Sequence, residues 1–218
     1  MDPRVFEYCD VPPPFAAGNS PFHIKGQFYI QQLRALDRLD PGGAAVTRAR
    51  LPPDLREFCE QRFLSAGWYD VLPLVRLAMF EAECRGEDCR ELTRRQAERA
   101  AEHGMRGVYK RFIPLVLPQT VAMGWFGSRM VAGISQFYDF APATVSEPSD
   151  SHTLTLERDG MPLCMLEWWS INATNYALTV LRLAGVKDLR GEYSYTTSPA
   201  SGPVALGRVA ISIRRPKK

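Results

Sequence analysis

Apolar residues recur along this chain with two different periods, and the change between them falls near Gly133. Before it the spacing is helical. "GQFYIQQLRALDRLD" sets Phe28, Leu33, Leu36 and Leu39 toward one side and is closed by "DPGG". "PPDLREFCEQRFLSAG" has proline at a helix start and glycine at its stop. "WYDVLPLVRLAMFEAECRG" is a third apolar-periodic segment. "DCRELTRRQAERAAEHG" is a fourth and far more polar, with Glu98 four residues after Arg94, as in a charge-laced surface helix. "GVYKRFIPLVLPQTVAMGWFGSRM" continues as one or two helices broken near Pro114 and Pro118.

After Gly133 the period becomes two. "SQFYDFAPATVSE" and "SHTLTLERDG" alternate and are split by the turn-rich "PSD", a hairpin pattern. A long helix follows. Leu166, Trp169, Ala173, Tyr176, Val180 and Leu183 form one stripe, and Gly185 suits the position just past the helix end. Trp168 falls outside that stripe, on the face that runs through Asn172, Asn175, Thr179 and Arg182. "LRGEYSYTT" then puts Leu189, Tyr193 and Tyr195 on one face, and "GRVAISIRR" does the same for Val209, Ile211 and Ile213. The predicted fold is α+β: a helical N-terminal half, then β-β-α-β-β, with an antiparallel sheet packed on the long helix. Residues 1–21 read as a proline-rich arm with Phe6, Tyr8 and Phe15 as anchors, and residues 22–218 as a single domain.

Composition narrows the class. The chain has 218 residues, 45% hydrophobic and 23% charged, enough to bury a sizeable core. A net charge of +3 does not argue for nucleic acid, and the basic "RRPKK" reads as a solvated tail. Five cysteines form no disulfide framework. The spacing of Cys84 and Cys89 is longer than structural zinc prefers, and no second pair accompanies them, so no metal is expected. No apolar run reaches the ~20 residues of a membrane span. The first residues lack the order of a signal peptide, and a cytoplasmic location is expected.

Groups for catalysis are few. Ser128 in "GSR" reads as a helix-end serine, Glu167 as a surface glutamate beside Trp168, and "DPGGAA" lacks the strand and lysine of a phosphate loop. No enzymatic activity is expected. The aromatic residues are the stronger signal. Tyr109, Phe112, Trp125, Phe126, Tyr138, Trp168, Trp169 and Tyr176 are the candidate ligand-binding residues, with Trp68, Tyr69 and Phe137 in the same wider set. Trp168, being off the stripe, is the candidate for a pocket mouth or an interface.

The landmarks "LPPDLREFCE…GWYDVLPLVRL", "AAEHGMRGVYKRF", "FYDF" and "TVLRLAGVKDLRGEY…RVAISIRR" resemble a myxobacterial paralogous family of unknown function. Its shape is similar to the superfamily of haem nitric-oxide-binding domains, 4-vinyl-reductase-like sensor domains and Bet3-type subunits of the TRAPP transport complexes. The resemblance covers roughly residues 22–214 and implies an apolar cavity between helices and sheet. Haem sensors of this kind hold iron on a histidine in the helix before the sheet, whereas "LPQTVAMGWFGSRMVAG" contains none. The zinc-stapled relatives need cysteines near the last hairpin, and the acylated ones need a cysteine near the first helix. This chain has neither, so no cofactor is expected. The resulting expectation is a non-catalytic binding or sensory domain for a small apolar or aromatic molecule. The alternative is a protein-interaction module, homodimer or adaptor, with a filled cavity.

Overall fold

The computed structural model describes residues 6–8, 15–106, 119–146, 152–197 and 204–216; residues 107–118, 147–151 and 198–203 lie outside the described residues. Chain order is β1 (His23–Lys25), α1 (Gln27–Leu36), α2 (Ala44–Ala49), α3 (Pro53–Cys59), β2 (Trp68–Asp70), α4 (Leu72–Arg85), α5 (Cys89–Arg106) and α6 (Gln119–Phe137). The second half is β3 (Ala143–Ser146), β4 (Thr153–Pro162), α7 (Leu166–Leu183), β5 (Arg190–Thr197) and β6 (Leu206–Arg214). This is the expected α+β order. The sheet is antiparallel throughout, with strand order β3-β4-β6-β5. No helix among the described residues is long and apolar enough to cross a membrane.

Local chemistry explains most boundaries. α6 begins directly after Pro118, where a break was expected. α7 ends as Gly185 predicts: this residue has φ 89°, and the Val186 N–H donates to Leu181 O at 3.0 Å. Two details differ from the sequence reading. Trp68–Asp70, read as part of a helical segment, is a strand paired antiparallel with β1, His23 opposite Asp70 and Lys25 opposite Trp68. Three residues carry no period of their own, and Pro73, second in α4, marks where the helix starts. "SQF", read as the start of a strand, is the last turn of α6.

Two helices lie side by side on one face of the sheet. Leu154 and Leu156 of β4 oppose Ile213 and Ile211 of β6, and all four are buried. α6 covers β3 and β4 so closely that a Cβ on Gly127 would sit 2.6 Å from Leu154. α7 covers β5 and β6, and a Cβ on Gly191 would meet Thr174 and Leu178 at 2.8 Å. The other flank of α7 is covered by α5. Outward on α5, Arg94 pairs with Glu91 and Glu98, as its charge pattern predicts.

Because α7 runs between α5 and the sheet, a single stripe does not describe its buried surface. Ile171, Thr174, Leu178 and Leu181 are buried alongside Leu166, Trp169 and Val180, and Leu183 is exposed. The first six residues of the helix, Leu166–Ile171, are all buried. Trp168, expected on the polar face, is therefore only 6% exposed, and Glu167, expected at the surface, is buried as well. The arm contributes to this enclosure. Phe6 is fully buried, the Glu7 N–H donates to the Glu167 carboxylate, and the Tyr195 hydroxyl donates to the Glu7 carboxylate. Arg90 of α5 completes the cluster with Nε and Nη2 on the two Glu167 oxygens at 2.6 and 3.1 Å.

Candidate functional site

In "HTLTLERDG" the alternation that sends Leu154 and Leu156 inward also sends Arg158 inward. The structure follows it, and Arg158 is 1% exposed. Just beyond it, the pairing with β6 slips by one residue between Arg158 and Met161, where Gly160 takes φ 78°. Such bulges bend a strand and re-aim its side chains. A 3-10 turn, Leu163–Met165, then leads into α7 and brings Trp169 over the same spot.

The chain leaving α6 supplies the other wall. Ala141 has φ 47°, an uncommon left-handed conformation for a residue with a Cβ. That turn aims two carbonyls at the guanidinium: Arg158 Nε donates to Ala141 O and Nη2 to Phe140 O, both at 2.6 Å. Three aromatic rings surround the charge. The guanidinium carbon is 4.8 Å from the Tyr138 ring, 4.8 Å from the Trp169 ring and 5.2 Å from the Phe140 ring. Such contacts are worth about 0.5–2 kcal/mol each.

The electrostatics are incomplete. Arg158 Nη1 has no hydrogen-bond partner, and no carboxylate pairs with Arg158 among the described residues. A buried cation without an anion is unfavourable. Desolvation pushes Arg158 down to about 10, while Tyr138 pulls it back up. Burial pushes the Tyr138 phenol up to about 12, opposed by Arg158 and by a hydrogen bond from Trp169. At neutral pH the site therefore holds a charged arginine beneath neutral rings.

The cluster sits where the two halves of the fold meet. Tyr138 makes a backbone bridge to Ile24 of β1, Phe140 lies edge-on to Phe22 at 5.2 Å, and Phe28 of α1 lies 6.3 Å from Tyr138. Of the sequence candidates, the structure brings Tyr138 and Trp169 together on Arg158. Trp168 is buried in the core, not at a surface mouth, for the reason given above. Phe126 is buried on α6, and Tyr176 on α7 directs its hydroxyl toward Gly104 of α5. Tyr109 and Phe112 lie outside the described residues, as does the side chain of Trp125. Sequence reading missed Arg158 and Phe140. The signal for Arg158 was available: a cation in the inward phase of an alternating strand.

No protein-family model matches the sequence, and no characterised protein matches it. Solved structures do match in shape. A single-residue variant of the T. tengcongensis H-NOX protein superposes with a TM-score of 0.54 at 10% identity, over 88% of this chain and 97% of that one. An H-NOX structure from work on haem distortion gives 0.56 at 10% identity, over 89% and 96%. The unliganded Fe(II) H-NOX protein from K. algicida gives 0.51 at 12% identity, over 89% and 98%. The fold is thus H-NOX-like.

The residues here do not fit a haem held as the resemblance implies. The chain has three histidines, and none lies on α6, the helix before the sheet. His23 is bonded to Asp139 at 2.6 Å, His103 is exposed on α5, and His152 immediately precedes β4. Among the described residues no group of three histidine, cysteine or carboxylate side chains converges on one point.

Proposed function

We propose that this chain is a non-catalytic ligand-binding sensory domain, taking a small aromatic or apolar molecule at the junction of α6, α7 and β4. The observation that supports this is Arg158, a buried cation with an unpartnered Nη1 beneath Tyr138, Phe140 and Trp169. A ligand with an aromatic body and a carboxylate would complete both halves of that arrangement: its ring would stack on the aromatic set, and its anion would take the free donor. The H-NOX-like shape is consistent with an internal site, since the structures it resembles include haem proteins. The cluster offers no nucleophile and no acid–base pair, which favours binding over turnover.

The alternative is an interaction module whose interior is closed by its own side chains. Arg158 serves that reading equally if its two carbonyl bonds and three rings are its complete environment, and exposed Leu183 and Tyr193 would then suit a partner surface. Native mass spectrometry of protein purified from its own host separates the two. A bound small molecule on the wild type, absent from Arg158→Met, supports the sensory domain. A ligand-free stable dimer supports the alternative. In parallel, naphthoate should raise the Tm of the wild type but not of Arg158→Met, and uncharged naphthalenemethanol should raise neither. Equal response to both compounds would count against an anion site.

A further inference from the structure

The four residues Tyr138–Ala141, between α6 and β3, grip both halves of the fold at once. On one side they hold β1. The Asp139 carboxylate accepts from the His23 N–H at 2.8 Å and from His23 Nδ1 at 2.6 Å, and the Asp139 N–H donates to His23 O at 3.3 Å. Tyr138 bridges to Ile24, and Phe140 packs edge-on against Phe22. The hold extends to α4, because Val71, just before that helix, donates its N–H to Phe22 O at 2.9 Å. On the other side the same four residues hold Arg158, through the carbonyls of Phe140 and Ala141.

This clasp is under tension. Ala141 is buried at φ 47°, a conformation that costs free energy for a residue with a Cβ. Arg158 Nε holds its carbonyl there. Arg158 is itself opposed, since a buried guanidinium with no anion is driven toward water. Two states therefore compete. In one, Arg158 stays inside and the turn stays clasped. In the other, the guanidinium swings out, Phe140 O and Ala141 O lose their donors, and Ala141 is free to leave the left-handed region. The donor geometry decides which state an anion favours. The two carbonyls occupy the edge of the guanidinium formed by Nε and Nη2, and Nη1 at the other end has no partner. An anion at Nη1 adds to the carbonyl bonds and does not displace them. It neutralises the charge that drives Arg158 out, and so favours the clasped state.

We infer that Tyr138–Ala141 is the output element of the Arg158 site: an anion bound at Nη1 tightens the clasp on His23 and steadies β1. This rests on the sensory reading above and adds to it the route by which occupancy reaches the N-terminal half. The test is amide hydrogen exchange of the full-length protein with and without naphthoate, with binding read independently from Tm. Naphthoate should slow exchange of the His23, Asp139 and Val71 N–H groups about fivefold or more. The Val186 N–H, bonded to Leu181 O at the far end of α7, is the control and should change less. Asp139→Ala cuts the clasp away from Arg158, and it should fold because Asp139 is exposed. In that variant naphthoate should still raise Tm but should no longer slow His23 and Val71. Without ligand, Arg158→Met should speed exchange at His23 and Asp139, because the turn loses its two donors. Binding of naphthoate with no change at the three amides, or with equal slowing at Val186, would overturn the output role and leave the binding reading standing. Slowing at His23 and Val71 that persists in Asp139→Ala would also overturn it. No rise of Tm with naphthoate in the wild type would remove the binding reading itself, and the output role with it.

Discussion

Arg158 and Trp169 meet face to face where β4 turns into α7, the guanidinium carbon 4.8 Å from the centre of the indole system. They come from adjoining elements, and the contact lies just before the bulge that bends β4 toward α7. It makes Trp169 both a core residue and one wall of the charged site, and it couples the packing of α7 to the placement of a buried charge.

The first prediction concerns the tryptophan pair. Both side chains are almost wholly buried, at 6% for Trp168 and 2% for Trp169. Trp168→Ala and Trp169→Ala should each destabilise the fold by about 3–5 kcal/mol. Denaturant midpoints measure this. A loss below about 1 kcal/mol for Trp168→Ala would show it to be a surface residue after all.

Arg158→Met should behave differently. The substitution removes a desolvated charge and fills its space with apolar atoms, while the carbonyls of Phe140 and Ala141 lose their donors. These effects oppose each other, so the stability change should stay within about 1.5 kcal/mol. A collapse of the fold in urea titration would mean that the two carbonyl bonds outweigh the buried charge.

Stability should fall above pH 10. Burial holds the phenols of Tyr29 and Tyr138 neutral beyond their usual 10.0, Tyr138 to about 12. Tyr193 and Tyr195 are raised also, desolvation being the leading cause in both. A phenol that ionises more readily unfolded than folded contributes stability that is complete below pH 10 and is lost as pH rises through the native value. Arg158, lowered from 12.5 to about 10, works in the opposite sense over the same range, but one arginine faces four tyrosines. Phenolate absorbance should therefore show a group of tyrosines ionising only together with unfolding. Reversible ionisation of all eight near pH 10 in folded protein would contradict this.

Glu167→Gln should loosen the arm before it loosens the domain. The change leaves Arg90 with a neutral acceptor in place of its paired carboxylate, and it weakens the hold on the Glu7 N–H. Arg90 is partly exposed, so the loss should be about 1–2 kcal/mol. Limited proteolysis should cut near Phe6–Tyr8 sooner than in the wild type. Unchanged cleavage would mean that Phe6 and Tyr195 hold the segment without Glu167.

The sequence made the order of elements legible because its two periods are long and clean. The alternation in 153–158 and the glycine at 185 both report local backbone geometry, and local geometry survives folding. What was lost came from tertiary arrangement. Trp168 and Glu167 looked peripheral because one stripe accounts for a helix covered on one side, whereas α7 is covered by α5 and by the sheet. Trp68–Asp70 looked helical because its pairing with His23–Lys25 is a contact across the chain. Of the site, Tyr138 and Trp169 were found as aromatics. Arg158 was passed over because a cation is read as surface until the strand's phase is followed through it.

The fold-back of Glu7 onto Tyr195 has a consequence for synthesis. The two residues are separated by 188 positions, and Glu7 from Glu167 by 160. At ordinary ribosomal speeds Glu7 is made roughly 10–40 s before Tyr195 exists. Phe6, translated long before the helix and strand that its neighbour Glu7 bonds to, is one of the later side chains to find its resting place. For that interval the nascent chain displays an aromatic residue that the finished protein hides completely.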